Sequence, residues 1–146
     1  MATTLAADPT TVANRLRPAL LRLNRDLRRE LHSLDVTGQQ ISLLVKIQKE
    51  RGIGMRELAR WEHMSVPGMS KYIARLEAAG LVRRTEVQDR RRVGLEVTTE
   101  GARVLTSVKR RRTTWLAERL RGLEPEELDA IDAAVEPLLK LLDVAT

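Results

Sequence analysis

With 146 residues, no cysteine, no phenylalanine and two histidines far apart, the sequence excludes a good deal. Its length fits one domain with an aliphatic core. The missing cysteines rule out disulfides, thiolate metal sites and a thiol redox switch within the chain, and His32 and His63 have no ligand-spaced neighbours, so no metal and no cofactor is expected. A net charge of +6 and a pI of about 10.4 favour a polyanionic partner.

Met1 to about Thr10 is small and polar and should be a loose tail. From about Thr10 to Leu34, Leu16, Leu20, Leu23, Leu27, Leu31 and Leu34 recur every three or four residues, which predicts a long helix. Pro18 lies inside that pattern and should kink the helix or mark its true start. Arg22, Arg25 and Arg29 form a second stripe, read as a solvated face. A second helix should run from Thr37 to about Glu50. Thr37 and Gln40 have the spacing of a capping box, Ile41, Leu44, Val45 and Ile47 should face the core, and Arg51-Gly52 should end the helix.

A third helix is predicted from Met55, over a segment reaching Met64, with Trp61 near its end as a packing residue. A fourth comes after a tight turn. Ser65 suits its N-cap, Pro67 is tolerated in its first turn, and Gly80 suits the position after its last turn. Val66, Met69, Ile73 and Leu76 make an apolar stripe. Gly68, Ser70, Lys71, Ala74 and Arg75 lie off it and are small, hydroxylated or cationic, which suits close approach to a groove. An ordinary amphipathic helix with a solvated polar face has the same pattern. The next segment reads as a β-hairpin. Leu81 to Val87 should be one strand, with Val93, Leu95 and Val97 facing inward on the other. The tip, Gln88-Asp89-Arg90-Arg91-Arg92, carries three consecutive arginines. Such a run is commonly a solvated loop. Directly after a helix-turn-helix it suits a wing that reaches phosphates or a narrow minor groove. The fold class is therefore mainly α with a small β-hairpin wing, a winged helix-turn-helix suited to gripping double-stranded DNA.

After the wing, Thr98 or Thr99 should cap a long helix reaching about Arg121, with Glu100 in its first turn. Gly122 stops it, and Pro125 starts a last helix with Glu126 and Glu127 in its first turn. Leu128, Ile131, Val135, Leu138 and Leu142 form a heptad-like seam. That seam and the stripe holding Leu16, Leu20 and Leu23 are read as dimerisation surfaces; the alternative is that both helices pack on their own chain. The organisation is then 1–36 for the tail and an N-terminal dimerisation helix, 37–98 for the winged domain and 99–146 for C-terminal dimerisation helices, all in one compact unit. Charge is not spread evenly. Residues 51–112 hold 15 Lys+Arg and 7 Asp+Glu, whereas residues 113–146 hold 3 and 8. The positive field sits over the half expected to meet phosphate.

The ordered set resembles the MarR (multiple-antibiotic-resistance regulator) family over nearly the whole chain. The residues that carry the likeness are Glu57-Leu58-Ala59, Ser70 through Val82, Asp89-Arg90-Arg91, and Leu95 through Gly101. The resemblance implies a homodimeric transcription regulator, usually a repressor of a pseudo-palindromic operator, with two recognition helices in successive major grooves. It places Ser65, Pro67, Gly68, Ser70, Lys71 and Arg75 at the DNA. Arg91 would enter the minor groove, held by Asp89, with Arg90 and Arg92 at phosphates or beside it. Gly68 departs from the family, where a larger or hydroxyl-bearing residue is common. The resemblance also implies release by a small aromatic or anionic effector. Arg112 falls on the stripe Leu105, Val108, Arg112, Trp115, where an apolar residue is expected. It is read as a snorkelling arginine, or as a carboxylate partner in a ligand pocket with Trp115 or His32. No nucleophile–base pair, carboxylate pair or phosphate-binding glycine loop is recognisable, so no enzyme is expected. No apolar run nears the ~20 residues of a membrane span and no signal peptide is visible, which predicts a cytoplasmic protein. The rival readings are a sequence-neutral or architectural DNA-binding protein and a winged protein-interaction module.

Overall fold

The computed structural model describes residues 6–86 and 93–143. By its internal contacts the chain forms two compact units, residues 1–111 and 112–146.

In the first unit, helix α1 spans Pro9–Arg29. Asp8 caps it, its carboxylate accepting from the Thr11 backbone N–H at 2.9 Å, with Pro9 in the first turn. Pro18 lies inside one assigned helix, so it does not mark the start. The leucine periodicity overruns the helix: after Arg29 the chain tightens into a 3-10 turn, His32–Leu34, and Asp35 takes a left-handed φ of 55°. Helix α2, Gly38–Lys49, opens on the expected capping box. The Gln40 N–H donates to Thr37 Oγ1 at 3.1 Å, and the Thr37 N–H donates to Gln40 Oε1 at 2.9 Å. Ile41, Leu43, Leu44 and Ile47 are buried and Val45 is half-buried.

A two-residue strand β1, Ile53–Gly54, leads into helix α3, Met55–Trp61. The chain then turns at His63, whose φ is 56°. Helix α4 spans Val66–Ala78. It ends in a Schellman arrangement: Gly80, at φ 76°, donates to the Glu77 carbonyl at 2.9 Å, and Leu81 donates to the Leu76 carbonyl at 2.9 Å. Strands β2, Val82–Glu86, and β3, Val93–Val97, are antiparallel, and β1 pairs with the other edge of β3. The wing is thus a three-stranded sheet in the order β1-β3-β2 rather than a bare hairpin. Two residues are too few to show a strand period, which is why β1 is silent in the sequence.

Two valines expected inward are exposed, Val66 at 42% and Val93 at 52%. Val66 opens α4 a turn before the helix reaches the core, and Val93 stands at the tip end of β3. The core gathers Leu31, the buried face of α2, Leu58 of α3, Met69, Ile73 and Leu76 of α4, and Leu95 of β3.

Helix α5, Thr99–Arg121, begins in the first unit and ends in the second. Thr98 precedes it and joins it to the exit of α4. Its Oγ1 donates to the Gly80 carbonyl at 2.5 Å and accepts from the Gly101 N–H at 3.0 Å, and its backbone N–H donates to the Leu81 carbonyl at 3.0 Å. In the second unit, helix α6 spans Pro125–Lys140 and starts with a capping box between Glu124 and Glu127. Pro137 lies inside α6, a feature the apolar seam does not reveal.

Candidate nucleic-acid interface

The back of α4 fixes what its front can present. Met69, Ile73 and Leu76 are fully buried. At 3.6 residues per turn, this turns Pro67, Lys71, Ala74 and Arg75 outward, and all four are exposed. Ser70 and Gly68 are half-buried on the flanks. Ser65 Oγ accepts from the Gly68 N–H at 3.1 Å, so the expected N-cap is present. A Cβ on Gly68 would lie 3.0 Å from that same Oγ, so glycine leaves the cap undisturbed as well as keeping this turn slender. Arg75 extends along the helix with its guanidinium 6.0 Å from the Tyr72 ring. Five of the residues expected at DNA, Ser65 to Lys71, therefore cluster at the start of α4, and Arg75 extends the same outward side into its last turn, opposite the anchored face. Asp89, Arg90, Arg91 and Arg92 lie outside the described residues.

The base of the wing carries ionic ties that the sequence pattern did not single out. Glu96 faces Arg83 across the β2–β3 ladder. It accepts from Arg83 Nη2 at 2.6 Å and from Arg51 Nε at 2.7 Å. The Arg51 hydrogen bond, helped by Arg83, holds the Glu96 carboxyl below the ordinary value of 4.5 against the opposing effect of desolvation. A second pair, Arg84 Nε to Glu77 Oε1 at 2.9 Å, ties β2 to α4. The cross-strand partners Arg83 and Glu96 become visible only once the hairpin register is known, and the Arg51 contact needs the fold.

Because the Glu96 carboxyl titrates lower in the folded chain than in the unfolded one, its contribution to stability is complete above about pH 4.5 and is lost as pH falls through the folded value. Glu96→Gln is therefore expected to cost stability at neutral pH, and that cost should shrink on acidification below pH ~4.5. Denaturant midpoints of both proteins across pH would show it. A difference independent of pH would mean that the carboxylate charge is not what ties the wing.

Elsewhere, Trp61 is 42% exposed rather than packed away, and Lys46 Nζ stands 5.2 Å from its ring centroid. His32 is exposed and lines a cleft along α1 with Leu21, Asn24, Arg25, Arg28 and Arg29. Arg112 and Trp115 belong to the second unit, and both are half-buried. Neither lines the His32 cleft, and the Trp115 ring carries the Arg119 guanidinium at 4.7 Å. Of the residues read as dimerisation surface, Leu16 and Leu138 are half-buried. Leu20, Leu23, Leu128, Ile131, Val135 and Leu142 are exposed, from 42% at Leu128 to 80% at Leu142. Among the described residues no group of three potential metal ligands converges, and no described helix is long and apolar enough to cross a membrane.

The MarR family profile matches residues 36–93, the span from the approach to α2 to the start of β3. Beyond that span, an HTH-type transcriptional regulator of Mycobacterium bovis is 35% identical over 133 residues, covering 90% of this chain and 93% of the relative. The chain belongs to the MarR family. A second HTH-type regulator, from Mycobacterium leprae, is 32% identical over the same length. The fold agrees with solved MarR-family structures. A family member from Bacillus stearothermophilus superposes with a TM-score of 0.79 at 24% identity, over 95% of this chain and all of that one. A mutant of Staphylococcus aureus MepR bound to an oligodeoxyribonucleotide superposes with a TM-score of 0.69 at 21% identity, over 90% and 97%. As a MarR-family protein, the chain is a DNA-binding transcriptional regulator and not an enzyme.

Proposed function

We propose that this MarR-family regulator acts in the cytoplasm as a homodimeric repressor, reading a pseudo-palindromic operator and leaving it when a small aromatic or anionic effector binds. The observation that carries sequence reading is the two-sidedness of α4. Its buried face fixes the helix, and its outward face is small, hydroxylated and cationic from Ser65 to Arg75. The exposed seam on α6, with Leu20 and Leu23 of α1, supports a second copy, because singly scattered apolar residues are ordinary but a regular stripe is not. Two-fold symmetry would then set half-sites about one DNA turn apart, ~34–36 Å.

Selection of binding sequences from a random duplex pool at near-physiological salt tests this reading. A recovered palindrome with half-sites one turn apart supports it. Binding without a motif would make the protein a sequence-neutral coat, which loses all affinity together as salt rises. Within the selected site, Arg91→Ala is expected to weaken binding by ~1–3 kcal/mol. Fluorescence anisotropy on the labelled duplex measures this, and unchanged affinity would reject Arg91 as the groove-entering residue.

A further inference from the structure

We infer that the arginine-lined cleft on α1 is a binding site for a compact polyanion, a phosphorylated or polycarboxylate metabolite carrying at least two negative charges. Its role as the effector site rests on the effector-released repressor proposed above; the binding site itself rests on the cleft. Leu21, Asn24, Arg25, Arg28, Arg29 and His32 line a space of about 350 Å³, near the lower end of small-ligand pockets. From Leu21 to Arg29 they recur at helical spacing, so α1 aims three guanidiniums and a carboxamide along one side. The 3-10 turn adds the His32 imidazole. Arg25 to Arg29 is one helical turn, about 6 Å, a span that two oxyanion groups of one small molecule can bridge.

Two features distinguish this face from an ordinary solvated one. No carboxylate lines the cleft. The neighbouring Asp26 makes only long ion pairs with them, 3.9 Å from Arg25 Nε and 4.0 Å from Arg29 Nη1, so it hydrogen-bonds neither guanidinium and leaves their donors open to a ligand. The second feature is Arg28, which lies against the first residue of α2. A Cβ on Gly38 would meet Arg28 Nε at 3.1 Å and Cγ at 3.4 Å. A guanidinium is thus held at the positive end of a helix, where a cation is disfavoured and an anion is welcome. The next turn brings another: Arg111 Nη1 of α5 donates to Ser33 Oγ. Positive charge is concentrated around a concave, donor-rich surface, where a ligand with two oxyanion groups can engage two guanidinium forks at once.

The oxyanion could belong to a free metabolite or to the phosphates of bound DNA, and calorimetry on the full-length protein at low ionic strength separates the two. Inorganic pyrophosphate is the probe. Arg25→Gln combined with Arg29→Gln should weaken its binding about tenfold or more while leaving the melting temperature unchanged. Arg103→Gln, which removes an exposed arginine paired with Glu100, should change it by less than about twofold. Absence of pyrophosphate binding, or equal losses in both variants, overturns the site. Should pyrophosphate fail to bind wild type while the double variant loses DNA affinity, the guanidiniums serve DNA phosphates and the metabolite site is likewise overturned. Pyrophosphate that binds and is lost in the double variant, yet leaves affinity for the selected operator unchanged, establishes the cleft and refutes its link to DNA release.

Discussion

Gly101→Ala is expected to lower the melting temperature by roughly 10 °C, equivalent to about 3 kcal/mol. In most helices this exchange is mildly stabilising, because alanine restricts the unfolded chain and favours the helix. Here the sign reverses. A Cβ at this position would lie 2.3 Å from the Leu81 carbonyl oxygen and 2.7 Å from Val97 Cγ1. The first obstacle is backbone and cannot rotate away. The Leu81 carbonyl is already fixed by the Thr98 N–H, so relief requires moving the exit of α4 or the start of α5. Thermal unfolding followed by circular dichroism measures the effect, and a variant that melts at or above wild type would show that the two segments do not approach this closely. The same displacement would tilt α4, so operator affinity should fall even where the variant is still folded.

Ile73→Ala is expected to cost about 2–5 kcal/mol. Ile73 is fully buried in the middle of α4, between Met69 and Leu76 on the same face. Removing its outer carbons leaves a cavity beneath the helix proposed to read DNA. Arg75, two residues on, makes the contrast. It is exposed, so Arg75→Ala should change stability by less than about 0.5 kcal/mol while weakening the duplex contact proposed for it. Denaturant midpoints and operator affinities for both variants form the test. If Ile73→Ala is as stable as Arg75→Ala, the buried face does not anchor the helix.

The readable parts of this fold were those written by local chemistry. The capping box at Thr37 and Gln40, Ser65 as the N-cap of α4, Gly80 past its end and Thr98 ahead of α5 each depend on residues within a few positions of one another. The apolar periods of α2 and α4 were equally legible, because burial on one side of a helix repeats often enough to show. Contacts made between distant segments were not. Strand β1 exists because Ile53 and Gly54 meet Leu95 and Gly94 some forty residues away, and no period can form in two residues. The leucine repeat of α1 continued past the end of the helix at Arg29, since Leu31 just before the 3-10 turn and Leu34 at its end still turn inward. Arg25 and Arg29 are exposed, as their stripe predicts, and the cleft they line with Arg28 and His32 is visible only in three dimensions.

One carboxylate, Glu96, serves two guanidiniums from separate segments, Arg51 before β1 and Arg83 on β2. Such sharing makes the three positions unequal in their tolerance of change. Either arginine can drift while the other keeps the acid satisfied, so single losses at Arg51 or Arg83 should be nearly silent and their combination should not. Loss of Glu96 has no such reserve, because it leaves two like charges facing each other across the vacated place. The wing base is therefore redundant on its basic side and has a single point of failure on its acidic side.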